Sequence, residues 1–286
     1  MFVIMGVTGQ VGGAALESLK QRGIALRAVA RDPARAEGLG IETVRADASD
    51  TKSLVTAFAG AEAAFVMLVP PYQAQDVLAE SRAMATSIAA AVRTARVPHV
   101  VALSSVGAHL SEGNGIVRVL HDFEAALAGA APSLVFLRPG EFLENWAAML
   151  PAVREAGVLP SGKLALDQRH EAVSVLDVGR VAADLLLDPR PGTRIVDLAG
   201  PAPWSARDAA VALSRLLGKP VTPVPSSRDQ SVAALVAAGL GADYAEKLAD
   251  LDEAINAGRL EFPTSGELRR GTVTLDAVLQ RLVVGG

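Results

Sequence analysis

The clearest chemistry in this chain lies in seven residues near its N-terminus, Gly6-Val7-Thr8-Gly9-Gln10-Val11-Gly12. The three glycines are spaced GxxGxxG, between a short apolar run, Phe2–Met5, and a helical pattern, Val11–Gln21. At such a junction Gly6 permits a tight strand-to-helix turn, Gly9 lets the backbone approach an anion, and Gly12 lets the helix pack closely on the sheet. The free N–H groups of the helix start then face a phosphate. A glycine triplet alone also fits a plain tight turn. Because strand, turn, helix and a further strand follow in order, the spacing predicts a dinucleotide pyrophosphate site, with Gly6, Thr8, Gly9, Gln10, Val11 and Gly12 as its contacts.

The end of the second predicted strand bears on which dinucleotide is expected. A site for NAD commonly carries an acidic residue there to hold the ribose 2′-hydroxyl, but Leu26-Arg27-Ala28-Val29-Ala30 runs into Arg31. A guanidinium suits a 2′-phosphate, through paired charge-assisted hydrogen bonds and stacking on adenine. The expected cofactor is therefore NADP(H), preferred over NAD(H). The alternative is a solvated arginine at a strand end, with Asp32 capping a helix that starts at Pro33. Asp47, after the third strand, is a candidate partner for the adenine amino group or else a turn residue.

The elements that would position these residues follow from periodicity. Short apolar runs alternate with amphipathic stretches through about 140 residues, the pattern of βαβ units and hence of an α/β, doubly wound parallel sheet. Strands are expected at Phe2–Met5, Ala25–Ala30, Ile41–Arg45, Ala63–Leu68, His99–Leu103 and Leu134–Leu137. Helices are expected at Val11–Gln21, Lys52–Phe58 behind an Asp50 cap, Gln73–Thr94 and Val117–Leu127. Further on, the pattern predicts a helix over Glu141–Val153, a Gly/Pro-punctuated stretch from Gly157 to Gly162 and a helix from near Asp177 to the Asp188-Pro189 stop. A strand at Thr193–Leu198 and a helix over Ser205–Leu217, capped by Ser205 and closed by Gly218, follow. From Pro220 on the chain reads as mostly helical. The organisation expected is a cofactor-binding core at 1–140 and a small, mainly helical substrate-side lobe at 141–286, with roughly 171–200 returning to the core.

Composition narrows the class of protein. The chain has 286 residues, is 50% hydrophobic and 20% charged, and lacks cysteine, which excludes disulfides and cysteine-bound zinc. Its 27 basic and 31 acidic residues set up no field for nucleic acid. No apolar run is long enough to span a membrane, and MFVIMGVTG lacks the charged start of a secretory signal, so the cytoplasm is the expected compartment. The four histidines form no metal-spaced cluster, and no metal is expected.

Four segments together carry a family resemblance: GVTGQVGG, Arg31, LSSVG at Leu103–Gly107 and RPGEFLENW at Arg138–Trp146. With DVGRVAADLLLDP and the LAGP and LLGKP turns, the chain resembles the NmrA-like atypical short-chain dehydrogenase/reductases over nearly its whole length, particularly their quinone oxidoreductase-like branch. The resemblance implies a Rossmann-type core, bound NADP, and a substrate cleft between core and C-terminal lobe. It implies an oxidoreductase or, in some relatives, a redox sensor acting through a protein partner. The wider superfamily's acid, the tyrosine of Tyr-x-x-x-Lys, is missing: Tyr72 precedes Asp76 by four residues, and Tyr244 precedes Lys247 by three. The corresponding helix carries His121 and Glu124 instead.

Ligands of such sheets bind beyond the strand C-termini, which singles out Met67, Leu68, Val69, Pro70, Ser104, Ser105, Pro139 and Gly140. Of these, Met67, Leu68, Val69, Ser104, Pro139 and Gly140 are expected beside the cofactor, and Pro70 and Ser105 beside the substrate. Ser104 matches the superfamily serine and is a candidate to hold a substrate carbonyl, or simply to satisfy local backbone. His121, on a helix running past the expected nicotinamide, is the candidate proton donor, since histidine titrates near neutral pH; a structural bond to Glu124 is its alternative. Phe142 and Trp146, read as i, i+4 on one helix, offer aromatic walls or core packing, and Trp204 a further wall. Asn145 offers a polar anchor. The expected activity is hydride transfer from NADPH to a quinone or similar conjugated small molecule, which needs little acid because the reduced product is a delocalised anion. The alternative is a non-catalytic NADP(H) sensor, and a homodimer is left open.

Overall fold

The apolar runs of the N-terminal half become adjacent strands of one sheet. In the computed structural model, which describes residues 1–263 and 266–285, the chain runs through β1 (Phe2–Met5), α1 (Gln10–Lys20), β2 (Leu26–Ala30), β3 (Glu42–Arg45), α2 (Thr51–Phe58), β4 (Ala63–Val66), α3 (Val77–Ala95) and β5 (His99–Leu103). It continues through α4 (Arg118–Leu127), β6 (Ser133–Pro139), β7 (Glu141–Phe142), α5 (Leu150–Ala156), β8 (Val158–Ser161), β9 (Ala172–Val173), α6 (Val175–Leu186) and β10 (Gly192–Ala199). The last elements are α7 (Ala206–Leu217), β11 (Thr222–Pro225), α8 (Arg228–Ala237), α9 (Ala242–Asn256), β12 (Glu267–Arg270) and α10 (Leu275–Gly285). Eight strands form a parallel sheet in the order β12-β10-β6-β5-β4-β1-β2-β3. This is a Rossmann-type doubly wound fold, and the strand order reverses between β1 and β4, where a crevice opens beyond the strand C-termini.

Both faces of the sheet are covered, as parallel strands require. One face packs Leu54 and Phe58 of α2, Ile88 and Val92 of α3, and Phe123 and Leu127 of α4. The other receives Leu16 and Leu19 of α1 and Val178 and Leu185 of α6. Phe58, Phe65 and Phe123 are completely buried, each contributing about 1.5–3 kcal/mol. A third cluster, built from Leu143, Leu159, Leu213 and Leu279, joins β8 to α7 and α10 outside the sheet. A fourth seats Tyr244 of α9 on Ala74 and Val77 at the start of α3. None of the described helices is long and apolar enough to cross a membrane.

The caps read from sequence are formed. Asp50 Oδ1 accepts from the Lys52 N–H at 3.0 Å, and Ser205 with Asp208 makes a reciprocal box at the start of α7, which Gly218 closes in the left-handed region.

Several elements differ from the sequence pattern. The helix expected over Glu141–Val153 is a short strand, β7, paired with β9, then a 3-10 turn over Leu143–Met149 and the short α5. The cause is tertiary. The buried Glu144 carboxylate accepts from Ser174 Oγ at 2.7 Å and from the Val175 N–H at 2.9 Å, pinning this segment to the start of α6. α3 begins at Val77, four residues later than expected, because Asp76 Oδ1 accepts from the Ala79 N–H and caps it there. The C-terminal stretch also holds two strands the periodicity misses. Prolines break the β pattern of Thr-Pro-Val-Pro in β11, and Glu-Leu-Arg-Arg in β12 is a polar edge strand.

Candidate active site

The site begins where β1 turns into α1. Gly9 caps α1 with no side-chain bond, no acidic residue stands in the first turn, and the first α-helical backbone bond runs from Gly13 N–H to the Gly9 carbonyl. The Gly9 N–H donates to the Gly6 carbonyl at 2.9 Å, and those of Gln10, Val11 and Gly12 are free to point at an anion. Gly6 is in the left-handed region at φ +70°, and a Cβ there would lie 2.4 Å from Met67 Sδ. A Cβ on Gly12 would lie 2.2 Å from the Gly6 carbonyl oxygen. The cradle is therefore shaped by backbone, and its bare helix start fits a pyrophosphate.

Arg31 is exposed immediately after β2, and no hydrogen bond or ion pair holds it among the described residues. It also draws down the nearby Asp47. Asp47 itself closes a turn, its Oδ1 accepting from Ser49 Oγ at 2.6 Å and from the Ser49 N–H at 2.9 Å. The Ser49 hydroxyl, then the Ser49 N–H, hold this carboxyl below the usual range, with Arg31 adding a smaller pull.

Beyond the strand ends lies one continuous cleft of about 1090 Å³. Of the residues singled out by sequence, Gly9, Gln10, Val11, Gly12, Met67, Leu68, Pro70, Ser104, Ser105, Pro139, Gly140, Phe142 and Asn145 line it. Gly6, Thr8, Val69, Arg31, Asp47, His121, Trp146 and Trp204 do not line it. Phe142 and Trp146 share no helix, since β7 and the 3-10 turn separate them. Trp146 instead stands 6.0 Å from Lys163 Nζ.

Ser104 joins a buried ionic cluster. Its Oγ donates to Glu124 Oε1 at 2.5 Å, while Arg138 donates through Nε at 2.8 Å and Nη2 at 2.6 Å to the two oxygens of the same carboxylate. Both partners of that ion pair are nearly excluded from solvent, so the fork-to-carboxylate geometry compensates their desolvation. With its hydrogen directed at Glu124, Ser104 offers a ligand lone pairs rather than a proton. His121 donates through Nδ1 to the Ala108 carbonyl at 3.0 Å, not to Glu124. In its neutral form that leaves Nε2 an acceptor, so proton donation would require the imidazolium.

The ion pair behind the opposite wall was not foreseen. Lys163, from the loop after β8, contacts both Glu141 oxygens at 2.8 and 2.7 Å and is almost fully buried. Burial works to lower its ammonium, and the Glu141 carboxylate overrides this and holds it above the usual range. Burial pushes the His170 imidazole down, with Lys163 adding to it, and pushes the Asp252 carboxyl up against the pull of Lys163. Tyr72 and Tyr244, 172 residues apart, meet edge-on with centroids 5.0 Å apart on the cleft wall. These residues come from loops and α9, so no local spacing announces them. Among the described residues no cluster of three or more His, Asp or Glu side chains is arranged to hold a metal ion.

Comparison with known proteins agrees with this geometry. A family model described as NAD(P)H-binding matches residues 6–189. The NAD(P)H azoreductase of Xenophilus azovorans is 26% identical over 257 residues, covering 88% of this chain and 86% of its own length. The crystal structure of the NADPH-dependent quinone oxidoreductase QOR2 of Escherichia coli, complexed with NADPH, is 28% identical with a TM-score of 0.82, over 99% of this chain and 100% of that one. A structure of NmrA, 18% identical over 99% of this chain and 91% of its own, shares the fold with a TM-score of 0.71. With the glycine cradle, the bare helix start and the cleft beyond the strands, these likenesses establish that the chain belongs to the NAD(P)H-binding family and is an NAD(P)H-dependent oxidoreductase.

Proposed function

We propose that this chain passes a hydride from NADPH to a quinone or similar conjugated small molecule. The observation that carries the reading is the single cleft in which the backbone cradle of α1 and an apolar acceptor wall open into the same space. Likeness to QOR2 and to an azoreductase, both named for reducing conjugated acceptors, supports it. When bound, the reduced nicotinamide supplies the hydride.

The chain's own residues bind, orient and exclude water. Gly6 to Gly12 hold the pyrophosphate. Arg31 would pair with the 2′-phosphate and set the preference for NADP(H), and the second oxygen of Asp47 would be left to accept from the adenine amino group. Met67, Leu68, Pro139 and Gly140 would flank the nicotinamide, and Ser104, whose hydrogen goes to Glu124, would accept a hydrogen bond from its carboxamide. Pro70, Ser105 and Phe142 form the acceptor's walls, Asn145 anchors its oxygen, and Trp146 backs this wall through Lys163. Reduction of a quinone consumes one hydride and one proton. The hydride enters the ring, the negative charge delocalises onto oxygen, and the proton comes from water at the cleft mouth. In this role His121 steadies the loop from Ser104 to Ala108 and supplies a proton only from its imidazolium form.

The test is NADPH oxidation at 340 nm with a panel of quinones, beside NADPH binding by calorimetry. Saturable turnover is the expected result. Tight NADPH binding with no turnover of any acceptor would overturn the enzyme reading in favour of a sensor.

A further inference from the structure

Ser104 meets the cleft through a hydroxyl whose direction is set from behind. β5 and β6 end side by side, with Leu103 paired to Leu137, so Ser104 and Arg138 are neighbours at the strand ends, and α4 lays Glu124 across both. Ser104 and Arg138 are buried, and of the three residues only Ser104 lines the cleft. The Arg138 fork occupies both Glu124 oxygens, at 2.8 and 2.6 Å, and an ionised carboxylate only accepts. The hydrogen in the 2.5 Å contact between Ser104 Oγ and Glu124 Oε1 is therefore the serine's. Arg138 has a second carboxyl beside it, its register partner Asp197 on β10. Burial pushes that carboxyl up, and its Oδ1 has no partner among the described residues, so the guanidinium serves Glu124.

A serine hydroxyl ordinarily turns to donate or to accept as its ligand demands. Turning this one toward the cleft would break a charge-assisted hydrogen bond in a place screened from water. We propose that the Glu124–Arg138 pair locks Ser104 as an acceptor and so makes the cleft select a nicotinamide ring with an amide substituent over rings whose substituent carries no N–H. The proposal rests on the reading of the cleft as a hydride-transfer site with the nicotinamide beside Ser104. The carboxamide NH2 donates to Oγ, which its bond to Glu124 makes a stronger acceptor. An acetyl group in the same place brings only an oxygen and leaves Oγ unpaired among Met67, Leu68 and Pro139. A carboxylate brings negative charge against lone pairs backed by Glu124. Glu124 and Arg138 lie behind the lining and act as positioning residues.

The experiment measures calorimetric binding of NADP⁺, its 3-acetylpyridine analogue and its nicotinic acid analogue to the whole chain, beside quinone turnover with NADPH. NADP⁺ should bind roughly tenfold or more tighter than the acetyl analogue, and by a larger factor than the nicotinic acid analogue. Ser104→Ala should bring the ratio of NADP⁺ to acetyl analogue toward one. The double variant Glu124→Leu with Arg138→Met should do the same. It exchanges a buried ion pair for apolar side chains of similar size, which commonly keeps a fold stable, and it frees the Ser104 hydrogen to meet the acetyl oxygen. A wild-type ratio near one overturns the proposal. So does either variant that weakens all three ligands together and keeps the ratio, as a merely structural role would. If the double variant does not fold, Glu124→Asp, one methylene shorter and drawn back from Ser104, takes its place. If no quinone is turned over while the ratios behave as expected, the hydride-transfer reading fails and the selection of the amide stands.

Discussion

The two ends of the cleft are built from different materials. At the α1 end the surface offered to a ligand is backbone: a left-handed glycine, a bare helix start and close approaches that leave no room for a Cβ. At the α9 end it is side chains drawn from β7, the loops after β8 and α9: Glu141, His170 and Asp252 on the lining, with Lys163 behind Glu141, brought together across more than a hundred residues of sequence. Backbone donors keep the same chemistry whatever surrounds them, so the cradle suits a cofactor that every turnover shares. Side-chain charge can be altered one residue at a time without disturbing the sheet, so the α9 end can change its chemistry while the α1 end keeps its own.

The contrast breaks most sharply at Gly12. Gly12→Ala places a methyl 2.2 Å from the Gly6 carbonyl oxygen and 2.4 Å from its carbon, both backbone atoms that cannot swing aside. α1 must then shift on β1, and NADPH affinity should fall roughly 10- to 100-fold by calorimetry. Wild-type affinity in a folded Gly12→Ala protein would mean that the cradle is not the phosphate site. Arg31→Glu sharpens the same end, since it removes a side-chain contact and leaves the cradle intact. NADPH binding should weaken roughly tenfold while NADH binding changes little, and equal losses for the two would remove Arg31 from the 2′-phosphate. The smallest effect is expected at Gly162. Its Cβ would meet Asp252 Oδ2 at 1.9 Å, a clash as close as the one at Gly12 but with the end of a side chain. Gly162→Ala should leave NADPH affinity within about twofold, because the carboxyl can rotate away. A loss of NADPH binding as large as that of Gly12→Ala would mean that the two ends are not separable.

How much of the molecule was legible follows the same division. The glycine turn between β1 and α1, the caps at Asp50 and Ser205 and the sheet strands β1 to β6 and β10 were read correctly because each rests on contacts within a few residues, whereas the polar edge strand β12 was missed. The segment from Glu141 to Val153 was misread because its conformation is decided by Glu144, whose partners Ser174 and Val175 lie some thirty residues away. Arg138 and Glu124 were visible as parts of motifs, yet nothing in their spacing says that one guanidinium and one carboxylate meet beside Ser104. His121 stood at a suggestive place on its helix, but its distance from the cleft wall and its bond to Ala108 belong to the packing of α4.

By itself the sequence determined a parallel α/β sheet, a glycine-lined strand-to-helix turn and its family, because glycine conformation, helix capping and hydrophobic period act over a few residues and need no partner from afar. Only the tertiary structure decided which carboxylates are paired. That depends on which segments the fold brings within about 4 Å, and on how deeply it buries them before they meet.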